Sequence, residues 1–140
     1  MEDLPNRQSE RQFRSLLLLR ELGFQVAQPT ILDGIWSVSF QDANEFSALA
    51  VLDPDQRFLE LGCAMTFSVR EQDFLRERMD ELMQCCYHRG CYFTIVTEKA
   101  EIRISLFSKL YFSGLQYYAL EETCADLKNA VEELRKLFEH

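Results

Sequence analysis

Glycine and proline are scarce, five and three of 140 residues, which excludes a long flexible or polyproline linker. Basic charge is short as well: 15 Lys and Arg stand against 23 Asp and Glu, a formal net charge of −8. So acidic a chain repels phosphate backbones and anionic lipid headgroups over most of its surface, and neither nucleic acid nor a membrane is its expected partner. No apolar run approaches the roughly 18 residues that a membrane-spanning helix needs. Met1-Glu2-Asp3 is acidic where a secretory signal would be basic, and Leu16 to Leu19 is too short for a signal's apolar stretch. A cytoplasmic location is therefore expected. The cysteines, Cys63, Cys85, Cys86, Cys91 and Cys124, are odd in number and lack a framework spacing, as suits reduced thiols in that compartment.

What is present is the material of a packed core. Hydrophobic residues make up 47% and charged ones 27%, a balance that globular chains show and disordered ones do not. The length fits one domain, 1–140, that needs no staples. Residues 1–7, polar and with a proline, read as a frayed end.

Hydrophobic periodicity divides the rest. From Ser9 to Leu22 the residues Phe13, Leu16, Leu17 and Leu22 recur at helical spacing, and Gly23 follows where a helix cap belongs. Leu18 and Leu19 widen that apolar face, so the helix is expected to be covered on more than one side. After Pro29 and the turn pair Asp33-Gly34, the alternation Trp36, Val38, Phe40 against Ser37 and Ser39 marks a half-buried strand. A loop over 41–45 leads to a strand from Phe46 to Leu52. The Asp53-Pro54-Asp55-Gln56 turn then leads to a strand over 57–67 with Leu59, Leu61, Cys63, Met65 and Phe67 on one face. Ser68-Val69-Arg70-Glu71 has capping-box form and opens a helix to about His88, with Gly90 after it. Strands at 91–97 and 101–108 form a second hairpin, and a helix from Glu121 to Phe138 closes the chain. The predicted order is α-β-β-β-α-β-β-α, an α+β fold with a five-stranded antiparallel sheet and helices packed against it.

Chemistry is sparse in this pattern. Cys85, Cys86, His88 and Cys91 bring three thiols and an imidazole into seven residues, a ligand set that suits a soft ion such as zinc. Adjacent Cys85 and Cys86 point in different directions on a helix, however, and no second ligand pair exists to complete a zinc ribbon. The only other histidine is His140. The glycines are scattered singly, so there is no phosphate-cradling loop and no nucleophile elbow. The acidic residues of the second helix alternate with Arg76 and Arg78 as a solvated face. The expectation is no catalytic residue, no cofactor and no metal. A thiol or metal-binding protein built on Cys85–Cys91 is the alternative reading.

The most unusual stretch is 107–118, with three Tyr, two Phe and two Leu between a strand and a helix. Neither a period of two nor one of 3.6 buries them all. They either close one end of the core or form an aromatic patch, since Tyr and Phe clusters favour interfaces. Tyr111, Phe112, Leu115, Tyr117 and Tyr118 are the candidate partner-binding residues.

Three stretches carry a family resemblance: Leu19-Arg20-Glu21-Leu22-Gly23-Phe24, then Asp33-Gly34-Ile35-Trp36-Ser37-Val38, then the Asp53-Pro54-Asp55 turn with the leucine-rich strand and helix after it. Over nearly its whole length the chain resembles the type III secretion chaperone-like superfamily, and within it the YbjN-like family. The resemblance implies three helices on a twisted five-stranded sheet, often dimeric. Secretion chaperones of this kind are small, acidic and non-enzymatic and hold an extended client segment, whereas YbjN-like members have regulatory roles. It adds to the residue-level reading the expectation of a homodimeric protein-binding module with a protein partner or client. The aromatic stretch and the cysteines depart from the pattern, and no family residue is carried over as a binding site.

Overall fold

The computed structural model describes residues 3–139, with side chains from Arg7 onward. The first helix, α1, spans Asp3–Glu21. It begins six residues before Ser9, with Pro5 in the first turn, where a missing N–H breaks no helical bond. Met1 and Glu2, part of the stretch expected to fray, lie outside the described residues.

The buried stripe of α1 differs in phase from the one predicted. Ser15, Leu18 and Leu19 face inward, at 0%, 8% and 0% exposure, while Phe13 and Leu17 are 68% and 44% exposed. A four-leucine run fits helical spacing in two phases at once. Packing selects the phase that leaves Phe13 and Leu17, one turn apart, on the outside.

Among the described residues seven strands form an antiparallel sheet, two more than predicted. The additions are β1, Gln25–Val26, and β2, Thr30–Leu32, both paired with β3, Ile35–Gln41. They are two pieces of one interrupted edge, with Pro29 between them and the Ala27 N–H donating to the Ser39 carbonyl at 2.9 Å. Such a break blunts a sheet edge against stray pairing. Asp33 and Gly34 have φ of 53° and 80°, and Leu32 lies opposite Ile35. Asp-Gly therefore closes a two-residue hairpin turn, whose twist suits adjacent strands. Sequence reading found the turn and missed the short strand before it.

The meander is as expected. In β3 Trp36, Val38 and Phe40 are buried between exposed or half-buried neighbours, and β4, Ser47–Leu52, buries Ala48, Ala50 and Leu52. The Asp42 carboxylate accepts from the Asn44 and Phe46 N–H groups at 2.9 Å and holds the connecting loop. At the next turn Asp53 accepts from the Asp55 N–H at 2.9 Å. Strand β5 covers Phe58–Ser68, β6 Tyr92–Thr97 and β7 Glu101–Tyr111, giving the order β1-β3-β4-β5-β7-β6.

The predicted second helix is broken. The Ser68 hydroxyl accepts from the Arg70 N–H at 3.2 Å and caps a 3-10 turn over Val69–Glu71. Then α2, Gln72–Glu77, and α3, Met79–His88, meet at Arg78, whose N–H is shared between the Phe74 and Leu75 carbonyls. The offset lets Phe74 pack edge-on against Phe138 at 5.5 Å.

The last helix, α4, spans Tyr117–Leu137 and starts four residues before the predicted Glu121. Its N-terminus is capped by the Gln116 side chain, which accepts from the Tyr118 N–H at 3.0 Å.

The chain divides into two compact units, each discontinuous in sequence. One holds the residues up to Leu61 together with Lys109–Thr123, and the other Gly62–Ser108 with the residues from Cys124 on. Strands β5 and β7 and helix α4 each contribute to both. The first unit's core centres on Leu19, Phe40, Leu59, Leu61 and Leu120, and the second's on Leu82, Ile104, Leu106, Leu127 and Leu134, all under 2% exposed or nearly so. Each such side chain contributes about 1.5–3 kcal/mol by leaving water.

Candidate functional site

In the first unit the predicted aromatic stretch resolves into three different settings. Tyr111, at the end of β7, is 55% exposed and meets Phe58 edge-on at 5.7 Å. The Lys109 ammonium lies 4.6 Å from the same Phe58 ring. Phe112 is half-buried beneath the Arg11 guanidinium at 4.1 Å, a cation–π contact from α1. Tyr117 is half-buried and Tyr118 is 66% exposed, their rings 5.2 Å apart and nearly perpendicular.

Leu115 requires a correction. At 2% exposure it belongs to the core, and its carbonyl accepts from the Arg14 guanidinium. A 3-10 turn over Phe112–Gly114 redirects the chain after β7 and drops the next residue inward. The stretch is therefore divided: Leu115 lies in the core, while Tyr111 and Tyr118 stand outside.

Other apolar side chains of the first unit escaped sequence reading. Ile31 and Leu32 of β2 are 65% and 75% exposed, and Leu32 stands opposite the exposed Ile35. Helical spacing predicts Phe13 and Leu17 on the core face, and both are exposed. The signal was present in the helix whose apolar residues exceed one face.

In the second unit Cys85 and Cys86 lie in the last turn of α3, and Cys91 follows just beyond it. The helix ends in a Schellman turn: Gly90 takes φ of 65°, its N–H donates to Tyr87, and the Cys91 N–H donates to the Cys86 carbonyl at 2.9 Å. Glycine suits the left-handed position because it has no Cβ.

Cys85 has partners of its own, whereas Cys86 and Cys91 are paired with each other. The Cys85 thiol donates to the Ala130 carbonyl at 3.7 Å and to the Glu133 carboxylate; burial first, and that carboxylate second, push it up to about 12. The Cys86 and Cys91 thiols are hydrogen-bonded to each other, and that bond first, with burial second, raises Cys86. The bond lowers the Cys91 thiol against its own partial burial. Glu133 also takes Arg89, whose Nε donates at 3.0 Å; this ion pair first, and the Cys85 thiol second, hold its carboxyl below the ordinary range.

His88 is exposed, its ring edge-on to Tyr87 at 5.9 Å. The four side chains considered as metal ligands thus do not face one point. Among the described residues no group of three or more His, Cys, Asp or Glu is placed to hold an ion. Among the same residues no helix is long and apolar enough to cross a membrane.

No family model matches the chain, and no curated protein matches it. Among solved structures it is similar to the crystal structure of an uncharacterized protein from Methanothermobacter thermautotrophicus, with 14% identity and a TM-score of 0.74 over 90% of this chain and 94% of the other. At that identity the likeness shows a shared fold.

Proposed function

We propose that the chain is a non-catalytic, cytoplasmic protein-binding module of the kind that type III secretion chaperones and YbjN-like regulatory proteins represent, acting through a homodimer or a client interface. The observation that carries this reading is apolar surface left uncovered in the first unit. Phe13 and Leu17 project from one side of α1, Ile31 and Leu32 from the edge hairpin, and Tyr111 and Tyr118 from the aromatic stretch. Isolated exposed apolar residues are ordinary. Apolar side chains held on regular elements, together with exposed aromatic rings, are what interfaces collect. The acidic surface would steer a partner carrying basic segments.

Sedimentation velocity across a concentration series tests the reading. The wild-type chain is expected to sediment as a dimer at tens of micromolar, and the Phe13→Ser/Leu17→Ser pair or Leu32→Ser to weaken the association at least about tenfold, equivalent to about 1.4 kcal/mol. A wild-type monomer throughout, together with no cross-linked polypeptide from a photoreactive side chain at position 118 in cells, refutes it.

A further inference from the structure

Two helices end in the same turn. At the end of α1 the N–H of Phe24 donates to the Leu19 carbonyl at 3.2 Å and that of Gly23 to Arg20 at 2.9 Å, with Gly23 at φ 92°. At the end of α3 the same pair of bonds runs from Cys91 to Cys86 and from Gly90 to Tyr87. The turn folds the second residue beyond the helix back onto its last turn, and an apolar contact between those two side chains usually accompanies it. In α1 these two positions are held by Leu19 and Phe24; in α3 they are held by two cysteines.

The backbone thus sets two thiols against each other, and they are hydrogen-bonded. Cys86 is 3% exposed and Cys91 half-exposed, so one sulfur can be reached from solvent and the other waits behind it. We propose that Cys86 and Cys91 form a dithiol exchange site for low-molecular-weight disulfides, with Cys91 the attacking sulfur and Cys86 the resolving one.

The roles follow from exposure: solvent reaches the Cys91 sulfur, and Cys86 lies buried behind it. The Asp126 and Glu133 carboxylates oppose a thiolate there, and the Cys86 bond outweighs them. Thiolate, not thiol, attacks a disulfide. Cys85 is excluded although it adjoins Cys86, because it is buried and its proton is committed to Glu133 and Ala130.

The chemistry balances as two exchanges. With glutathione disulfide, the Cys91 thiolate attacks one sulfur; the S–S bond breaks and one glutathione thiolate leaves and takes up a proton. The Cys86 thiol then gives its proton to solvent and its sulfur attacks Cys91 Sγ, which expels the second glutathione. The two protein thiols have lost two electrons and two protons, and one disulfide has become two thiols. Excess reduced thiol runs the sequence backwards. The site is independent of the protein-binding reading and stands or falls separately.

Trypsin separates the two sulfurs, because it cleaves after Arg89 and leaves Cys86 within 79–89 and Cys91 within 90–99. The full-length native chain, equilibrated in glutathione redox buffers and quenched with acid and alkylating agent, is expected to yield these two fragments joined through Cys86 and Cys91. Cys86→Ser is expected to retain one glutathione on Cys91, Cys91→Ser to take up none at Cys86, and Cys85→Ser to leave the cross-link unchanged. In the unsubstituted chain, iodoacetamide is expected to label Cys91 at least about tenfold faster than Cys85 or Cys86, a reading that needs no variant to fold. Equal labelling of the three thiols, a cross-link through Cys85, or no cross-link in a buffer that oxidises the urea-unfolded chain each overturns the assignment.

Discussion

Leu115 and Tyr118 stand three residues apart in one aromatic stretch, and the structure gives them opposite energetics. Leu115→Ala removes an aliphatic side chain that is 2% exposed. Lost transfer free energy and the residual cavity together cost about 3 kcal/mol, within the roughly 2–5 found for buried leucines. With a urea slope of about 2 kcal/mol per molar for a chain this size, the unfolding midpoint should fall by about 1.5 M. Tyr118→Ala removes a ring that is 66% exposed, and its midpoint should stay within about 0.5 kcal/mol of wild type. The assay is built into the chain: the single tryptophan, Trp36, is 4% exposed and belongs to the same unit as both residues, so its fluorescence reports that unit's unfolding. Self-association should show the reverse order, sensitive to Tyr118 and indifferent to Leu115 in the fraction still folded. A Leu115→Ala midpoint within about 0.5 kcal/mol of wild type would refute the burial argument.

Two further outcomes follow from buried polar and charged groups. The Ser15 hydroxyl is fully buried on the inward face of α1 and has no hydrogen-bond partner among the described residues, so Ser15→Ala should raise the urea midpoint by about 0.5–1.5 kcal/mol equivalent through relief of desolvation and better helix propensity; a loss of stability would show that a water or a partner satisfies the hydroxyl. Glu133 has its folded pKa below the ordinary 4.5, through Arg89 first and Cys85 second. Its stabilising contribution is therefore present above pH 4.5 and lost as pH falls through the depressed value. The gap between wild type and Glu133→Gln in urea midpoints should close on acidification from pH 7 to about pH 3, and a gap independent of pH refutes the pairing.

The parts of the fold legible in the sequence are those where one periodicity has one solution. In β3 the alternation of Trp36, Val38 and Phe40 with serines admits a single register, and the structure buries those three residues. The Asp53-Pro54-Asp55-Gln56 turn depends on local chemistry and closes as expected, with the Gln56 N–H on the Asp53 carbonyl at 2.9 Å. Legibility fails where several solutions compete. Leu16–Leu19 satisfies helical spacing in two phases, so the spacing predicts Phe13 and Leu17 on the inward face that Ser15 and Leu18 in fact occupy. The break at Arg78 has no glycine or proline to announce it; it depends on packing that brings Phe74 to Phe138, a contact between distant parts of the chain. Leu115 looks like its aromatic neighbours in sequence, and only the 3-10 turn before it decides that it points inward.

The cysteines show how a sound local rule can stop one residue short. Adjacent cysteines on a helix diverge, and Cys85 and Cys86 do: one turns to Ala130 and Glu133, the other to Cys91. The rule accounts for the divergence of those two sulfurs along the helix. It says nothing of Cys91, which lies beyond the helix and returns to it only because Gly90 permits a left-handed residue. Gly23 does the same for Phe24, and there the folded-back side chain is an ordinary apolar one. The spacing to look for was thus cysteine at the third-last helical position, glycine four residues on and cysteine immediately after it. That spacing joins two sulfurs through backbone geometry, whereas the cluster of four residues joins them only on paper.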